Sequence, residues 1–225
     1  ELTKYLINKF LNINPKVFQK FEFYHLISIA CLNNDLESVK MIADLKNKYS
    51  SIKEYTDEFL DAAKSNFYEI CKYFIDNKLY VDYQTVSKNA YQLKNLRKDI
   101  FLLLINDSDD QTAYLFYQSF LSQAIKDNNI ELAEYILERT NKCNYDDLVN
   151  AVSTENLNMV NLIFKYDHNS VSFINQSSSF RGSPLFIAVE INNIEMVKTF
   201  LSIPKINLNY ALNGKTILVY SLNND

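Results

Sequence analysis

Apolar residues between Leu185 and Leu201 fall into two clusters separated by a polar break. Leu185 and Ala188 form the first, Asn192 follows, and Val197, Phe200 and Leu201 form the second. Each cluster has the three-to-four spacing that places side chains on one face of an α-helix. Ala188 anchors a frame: an apolar residue three before it, Asn four after, and apolar residues nine, twelve and thirteen after. The frame recurs at Ala30 (Ile27, Asn34, Val39, Ile42, Ala43) and at Ala62 (Phe59, Asn66, Cys71, Phe74, Ile75). It recurs again at Ala124 (Leu121, Asn128, Ala133, Ile136, Leu137) and at Ala151 (Leu148, Val160, Ile163, Phe164), where Glu155 stands in place of Asn. Tyr220 with Ile217 and Asn224 begins another copy. A weaker one is anchored on Tyr91, with Asn95, Ile100, Leu103 and Leu104, but Lys88 occupies its upstream apolar place.

The anchors 30, 62, 91, 124, 151, 188 and 220 are on average close to 32 residues apart. A period of that length with two short helices per unit predicts an all-α chain of stacked helical hairpins, because one hairpin alone cannot bury both apolar stripes. The small anchor lets neighbouring first helices approach closely. The Asn four residues later is expected to end the first helix with a positive φ at Asn34, Asn66, Asn128 and Asn192. The chain has only two glycines, Gly182 and Gly214, and 28 asparagines. Asparagine is the best substitute for glycine in the left-handed region.

Three stretches break the frame: a polar connection at 44–56, an acidic segment at 105–113 read as an exposed loop, and a long insertion at 165–181. The Ser177-Ser178-Ser179 run before Arg181 is read as solvated loop.

Composition narrows the functional classes. Net charge is −4 with 22% charged residues, which disfavours nucleic-acid and anionic-membrane binding, since both need concentrated positive charge. The one dense basic spot is Lys94-Asn95-Leu96-Arg97-Lys98, read as a solvated helix face. No apolar run reaches the ~18–20 residues of a membrane span. Cys31, Cys71 and Cys143 are odd in number and lack a CxxC pair, so they read as reduced thiols of an intracellular protein. Two glycines 32 residues apart cannot form a phosphate-cradling loop. His25 and His168 complete no metal-ligand set. The frame places Cys71 in a buried stripe rather than beside a histidine in a cleft. Asp109-Asp110 and Asp146-Asp147 are adjacent, not facing. The expectation is no catalytic residue, no cofactor and no metal.

Ser183-Pro184-Leu185-Phe186-Ile187-Ala188, then Ile194-Glu195-Met196-Val197-Lys198 with Phe200-Leu201, resembles the ankyrin repeat, whose motif runs Thr-Pro-Leu-His-x-Ala, Gly, and a second helix with Val and Leu-Leu. Ile206-Asn207-Leu208-Asn209 is similar to the family's closing Ala-Asp-Val-Asn, and Gly214-Lys215-Thr216-Ile217-Leu218 reopens the motif. The other repeats lack Thr-Pro; His25, Asp57, Ser119 and Asp146 stand where Thr would be, and the last three are candidate helix caps. The Asn-rich style is similar to that of ankyrin proteins of protists and large DNA viruses. Glu1–Ile7 aligns with Glu195–Leu201, so the chain reads as one ankyrin-repeat domain over 1–225, of about six to seven irregular repeats, cut mid-repeat at both ends.

The resemblance implies an ankyrin-type helical-hairpin solenoid with a concave face of first helices and loop tips. The residues two and three after each anchor would face it: Leu32 and Asn33, Lys64 and Ser65, Leu93 and Lys94, Lys126 and Asp127, Ser153 and Thr154, Glu190 and Ile191. They vary while the frame persists. The implied function is a non-catalytic scaffold, monomeric, binding a protein partner. The alternative is the targeting module of a larger enzyme or ubiquitin-ligase subunit whose catalytic part lies outside these residues. The 16 tyrosines suit an interface.

Overall fold

A computed structural model describes residues 5, 6, 9, 23–176, 182–204, 206–209, 211–212 and 214–222. It is 72% helical, and the described residues hold almost no strand. Internal contacts group the chain into two compact units, Glu1–Phe116 and Tyr117–Asp225.

In the first unit, α1 (Phe23–Leu32) and α2 (Leu36–Tyr49) form one hairpin, and α3 (Thr56–Lys64) and α4 (Tyr68–Asp76) the next. A third pairs α5 (Tyr83–Lys88) and a 3-10 turn at Ala90–Gln92 with α6 (Lys98–Asp107). First helices pack on first helices, α1 on α3 and α3 on α5; second helices pack on second helices, α2 on α4 and α4 on α6. Helix α7 (Asp110–Lys126) carries the boundary between the units. The second unit continues with α8 (Ile130–Thr140), α9 (Tyr145–Ser153), α10 (Leu157–Tyr166), a 3-10 segment at His168–Asn175, α11 (Pro184–Glu190) and α12 (Ile194–Leu201). A hairpin of β1 (Ala211–Leu212) and β2 (Lys215–Thr216) leads into α13 (Ile217–Ser221). Again like packs on like: α9 on α11, α11 on α13, and α8 on α10.

The frame residues make these cores. Ile27, Val39 and Ala43, then Phe59, Ala62, Cys71 and Phe74, are inaccessible in the first unit. Ala133, Ile136, Leu148, Ala151, Val160, Ile163 and Ala188 are inaccessible in the second. Burying one of the Val, Leu, Ile or Phe side chains contributes roughly 1.5–3 kcal/mol. Val197 and Phe164, expected inside, are half-buried, and Leu201 is 48% exposed.

Between the paired helices the chain turns with one left-handed residue. Asn34, Asn66, Asn95, Asn128, Glu155 and Asn192 have φ of 54°, 57°, 51°, 57°, 57° and 55°. All four expected positions are confirmed, Asn95 and Glu155 behave alike, and Asn224 lies outside the described residues. Where a second polar residue follows, it caps the next helix: Asp35, Asn129, Asn156 and Asn193 accept from the backbone N–H three residues on. This is why Asn-Asn recurs: one residue tolerates the left-handed backbone and the next satisfies an orphan amide.

Several expectations need correction. The 44–56 connection is half helix, because α2 runs to Tyr49 and buries Leu45 and Lys46. The 105–113 loop is a break at Ser108 and Asp109 between α6 and α7. Asp57 and Asp146 lie inside first turns, and Ser119 lies inside α7. The cap of α9 is instead Asn144, which forms a reciprocal box with Asp147. The serine run 177–179 and Arg181 lie outside the described residues.

Candidate interaction surface

The expected binding pairs occupy one recurrent place. Leu32, Lys64, Lys126, Ser153 and Glu190 are each the last residue of a first helix. Asn33, Ser65, Asp127, Thr154 and Ile191 come next, immediately before the left-handed residue. The backbone here is fixed by recurrent bonds across the turn. The N–H of Asn34, Asn66, Asn128, Glu155 and Asn192 donates to the carbonyl three residues earlier, at 2.9–3.1 Å. The next N–H returns to the anchor carbonyl: Asp35 to Ala30, Phe67 to Ala62, Asn129 to Ala124, Asn156 to Ala151 and Asn193 to Ala188. Main chain holds the turn, so side chains at the pair positions are not needed to hold it.

Most of these side chains are accessible. Leu32, Asn33, Lys64, Lys94, Lys126, Ser153, Thr154 and Glu190 are exposed, and Ser65, Asp127 and Ile191 are half-buried. Leu32 is apolar yet 54% exposed. Lys64 lies 3.9 Å from Asp61. Among the described residues Lys94, Lys126 and Glu190 have no ion-pair partner. Asn33 donates to the Ile29 carbonyl at 2.8 Å, Ser153 to Val149 at 2.8 Å and Thr154 to Ala151 at 3.0 Å, so these three fold back on their own helices.

Leu93, expected on this surface, is the exception. It is 1% exposed and belongs to the core. The cause is local. The expected first helix splits into the six-residue α5 and a 3-10 turn. The tighter pitch of that turn, about 3.0 residues against 3.6, rotates the following positions. Ala90 takes the buried anchor place at 3% exposure, while Tyr91 points out at 61%.

Each unit gathers its own set. In the first, Leu32 and Lys64 end the packed helices α1 and α3, Asn33 and Ser65 follow them, and Lys94 follows the 3-10 turn after α5. Neighbouring turns are tied: Asn66 accepts from the Arg97 N–H at 2.8 Å. In the second unit, Lys126, Ser153 and Glu190 end α7, α9 and α11, and Asp127, Thr154 and Ile191 follow them. Ser122 of α7 donates to Asp147 of α9 at 2.6 Å, and Asn156 donates to Asn128.

Periodicity did not reveal the buried ion pair of the first unit. Lys46 Nζ lies 2.7 Å from Glu58 Oε1, with side chains 6% and 3% exposed. The same ammonium donates to the Glu54 carbonyl and sits 4.0 Å from the Tyr55 ring centroid. The Tyr55 hydroxyl donates to Asn47 Oδ1 at 2.8 Å. Burial pushes the Glu58 carboxyl above its ordinary range, although Lys46 opposes it. The sequence carried one signal: a lysine ten residues before the start of α3, inside a helix whose apolar stripe had not ended.

The thiols are packed. Cys31 and Cys71 are inaccessible, and burial pushes Cys71 up to about 12, with Cys31 and Cys143 also raised. Raised thiols have less thiolate, the opposite of an activated nucleophile. Among the described residues no group of three His, Cys, Asp or Glu is placed to hold a metal ion, and no helix is long and apolar enough to cross a membrane. No family profile, curated protein or solved structure matches the chain.

Proposed function

We propose that the chain is an ankyrin-type helical-hairpin solenoid acting as a protein-binding scaffold, with the ends of its first helices as the contact surface. The observation that carries this reading is the separation of duties at each turn. Buried anchors and main-chain bonds hold the hairpins, while the two residues before each left-handed position range over Leu-Asn, Lys-Ser, Lys-Asp, Ser-Thr and Glu-Ile. Positions that the fold does not constrain, presented at regular intervals on stacked helices, are free to be set by a partner. Their mixed charge favours a partner surface that is itself mixed, recognised by local pairing.

The test is affinity capture with the 225-residue chain from lysate, followed by quantitative mass spectrometry. Two variants run in parallel: Lys64→Glu with Lys94→Glu, and Lys126→Glu with Glu190→Lys. All four residues are exposed, so each change should leave stability within about 0.5 kcal/mol. A partner retained by the parent chain and lost by one of the charge-swapped forms is the expected result. Partners retained equally by the parent and both variants would sink the assignment of this surface.

A further inference from the structure

Above the Lys46–Glu58 pair the first unit has an open recess of about 190 Å3, lined also by Tyr24, Ile52, Glu54, Thr56 and Asp57. Its floor is electrically balanced, because the ammonium and carboxylate there satisfy each other at 2.7 Å. Two of its lining side chains are apolar and open: Tyr24 of α1, set edge-to-face against His25, is 41% exposed and Ile52 is 66% exposed. Its rim is acidic. Glu54 and Asp57 are both exposed, and among the described residues neither has an ion-pair partner. Glu54 accepts from the Thr56 hydroxyl at 3.1 Å, which leaves the other carboxylate oxygen and the solvent-facing lone pairs open.

A structural role covers part of this. Asp57 lies in the first turn of α3, where a carboxylate complements the helix dipole. That role does not extend to Glu54, which precedes the helix, nor to an aromatic ring and an isoleucine left open to water beside it. An aromatic face next to two carboxylates matches one chemistry closely. A guanidinium stacks on the ring and gives its N–H groups to the carboxylates. An anion would meet two uncompensated negative charges.

We propose that this recess receives an arginine side chain of a partner protein, so that the first unit docks a basic, arginine-bearing segment. The inference rests on the scaffold reading and names the chemistry one part of it recognises.

The probe is a labelled unstructured peptide of about ten residues with three arginines, titrated with the 225-residue chain by fluorescence anisotropy at near-physiological salt. Replacing Glu54→Gln and Asp57→Asn together should weaken binding about tenfold or more, and Tyr24→Ala should weaken it while Tyr24→Phe does not. Changing the peptide arginines to citrulline, which keeps the shape and removes the charge, should abolish binding. A charge-matched control, Asp76→Asn with Asp110→Asn, should stay within about twofold. Circular dichroism melts verify that each variant is folded. No binding of the arginine peptide, or an equal loss in the control, would overturn the proposal, the latter by showing general attraction to an acidic chain. If the peptide fails while the Lys64/Lys94 variant still loses its captured partner, the recess assignment falls and the scaffold reading stands. If the peptide binds the recess but captured partners ignore both charge-swapped forms, the recess stands and the first-helix surface falls.

Discussion

Asn66 donates through Nδ2 to the carbonyl of Asn95, 3.2 Å away, and both residues hold a left-handed backbone. One asparagine thus serves its own turn through φ and the next turn through its side chain. Asn192 has nearly the same φ, 55° against 57°, but makes no side-chain hydrogen bond among the described residues.

The two should therefore respond differently to the same change. Asn192→Gly should be nearly neutral, since glycine takes this conformation freely. Asn66→Gly should lose about 0.5–1.5 kcal/mol more, from the bonds to Asn95 and Arg97. Val at either position should cost about 1–2 kcal/mol through strain. Glu155, at φ 57°, already carries such strain, so Glu155→Asn should stabilise by about 0.5–1 kcal/mol. Urea denaturation of the five forms measures all of these; an Asn66→Gly loss no larger than that of Asn192→Gly would remove the bridging role.

The Lys46–Glu58 pair predicts non-additivity. Lys46→Met alone leaves a buried carboxylate without its counter-ion, and Glu58→Leu leaves a buried ammonium; each should cost about 3–5 kcal/mol. The double replacement should cost much less than either single one, because the desolvation of both charges disappears with them. A double-mutant cycle by chemical denaturation reads the coupling, and a strictly additive result would mean the ions are hydrated.

Asp107 gives a pH signature. Burial raises its carboxyl, but the Lys78 ammonium and the Tyr83 hydroxyl, the latter at 2.5 Å, outweigh this and the net shift is downward. A carboxylate lowered on folding stabilises above its unfolded value, about 3.9, and loses that contribution as pH falls through the folded value. Asp107→Asn should therefore cost about 0.5–1 kcal/mol at pH 7, and the difference from the parent chain should shrink below about pH 4. Glu58 works with opposite sign: its raised carboxyl favours folding most at low pH, and that contribution fades as pH rises through its folded value. Thermal melts across pH 2.5–7 of both chains decide it; a difference that grew toward acid would reverse the assignment.

Ala188 is inaccessible at the packing of α11 against α9 and α13. Ala188→Leu should cost about 1–3 kcal/mol by overpacking, whereas Lys126→Ser with Glu190→Ser should leave the melting midpoint within a degree or two, since surface changes cost about 0.5 kcal/mol or less. Equal losses in calorimetry would show that the first-helix ends belong to the fold rather than to a free surface.

Much of the hairpin layout was readable in the sequence because it depends on nearest neighbours along a helix and on one conformational preference. Ile27, Ala62, Val160 and Ala188 recur at fixed offsets, and the residue four after Ala30, Ala62, Ala124, Ala151 and Ala188 turns left whatever its identity, as Glu155 shows. Less readable were features set by partners far along the chain. Lys46 looks like part of a polar connection until Glu58, twelve residues on, is brought against it. Lys78 and Asn141, left-handed at the ends of second helices, lie in connections of unequal length that no frame aligns. At 83–95 the pattern failed because a 3-10 turn changes the residue count per turn, so Tyr91 and Leu93 exchanged the sides the α-helical period assigns them.

The side-chain ties between successive hairpins reach only a short way along the chain. Asn66 to Asn95 spans 29 residues, Ser122 to Asp147 spans 25, and Tyr145 to Gly182 spans 37. A polymer that never has to close a much larger loop to find its next partner meets a small entropic search at each step. Folding can therefore advance hairpin by hairpin from any well-formed pair, and opening can be confined to one pair while its neighbours remain protected from solvent exchange.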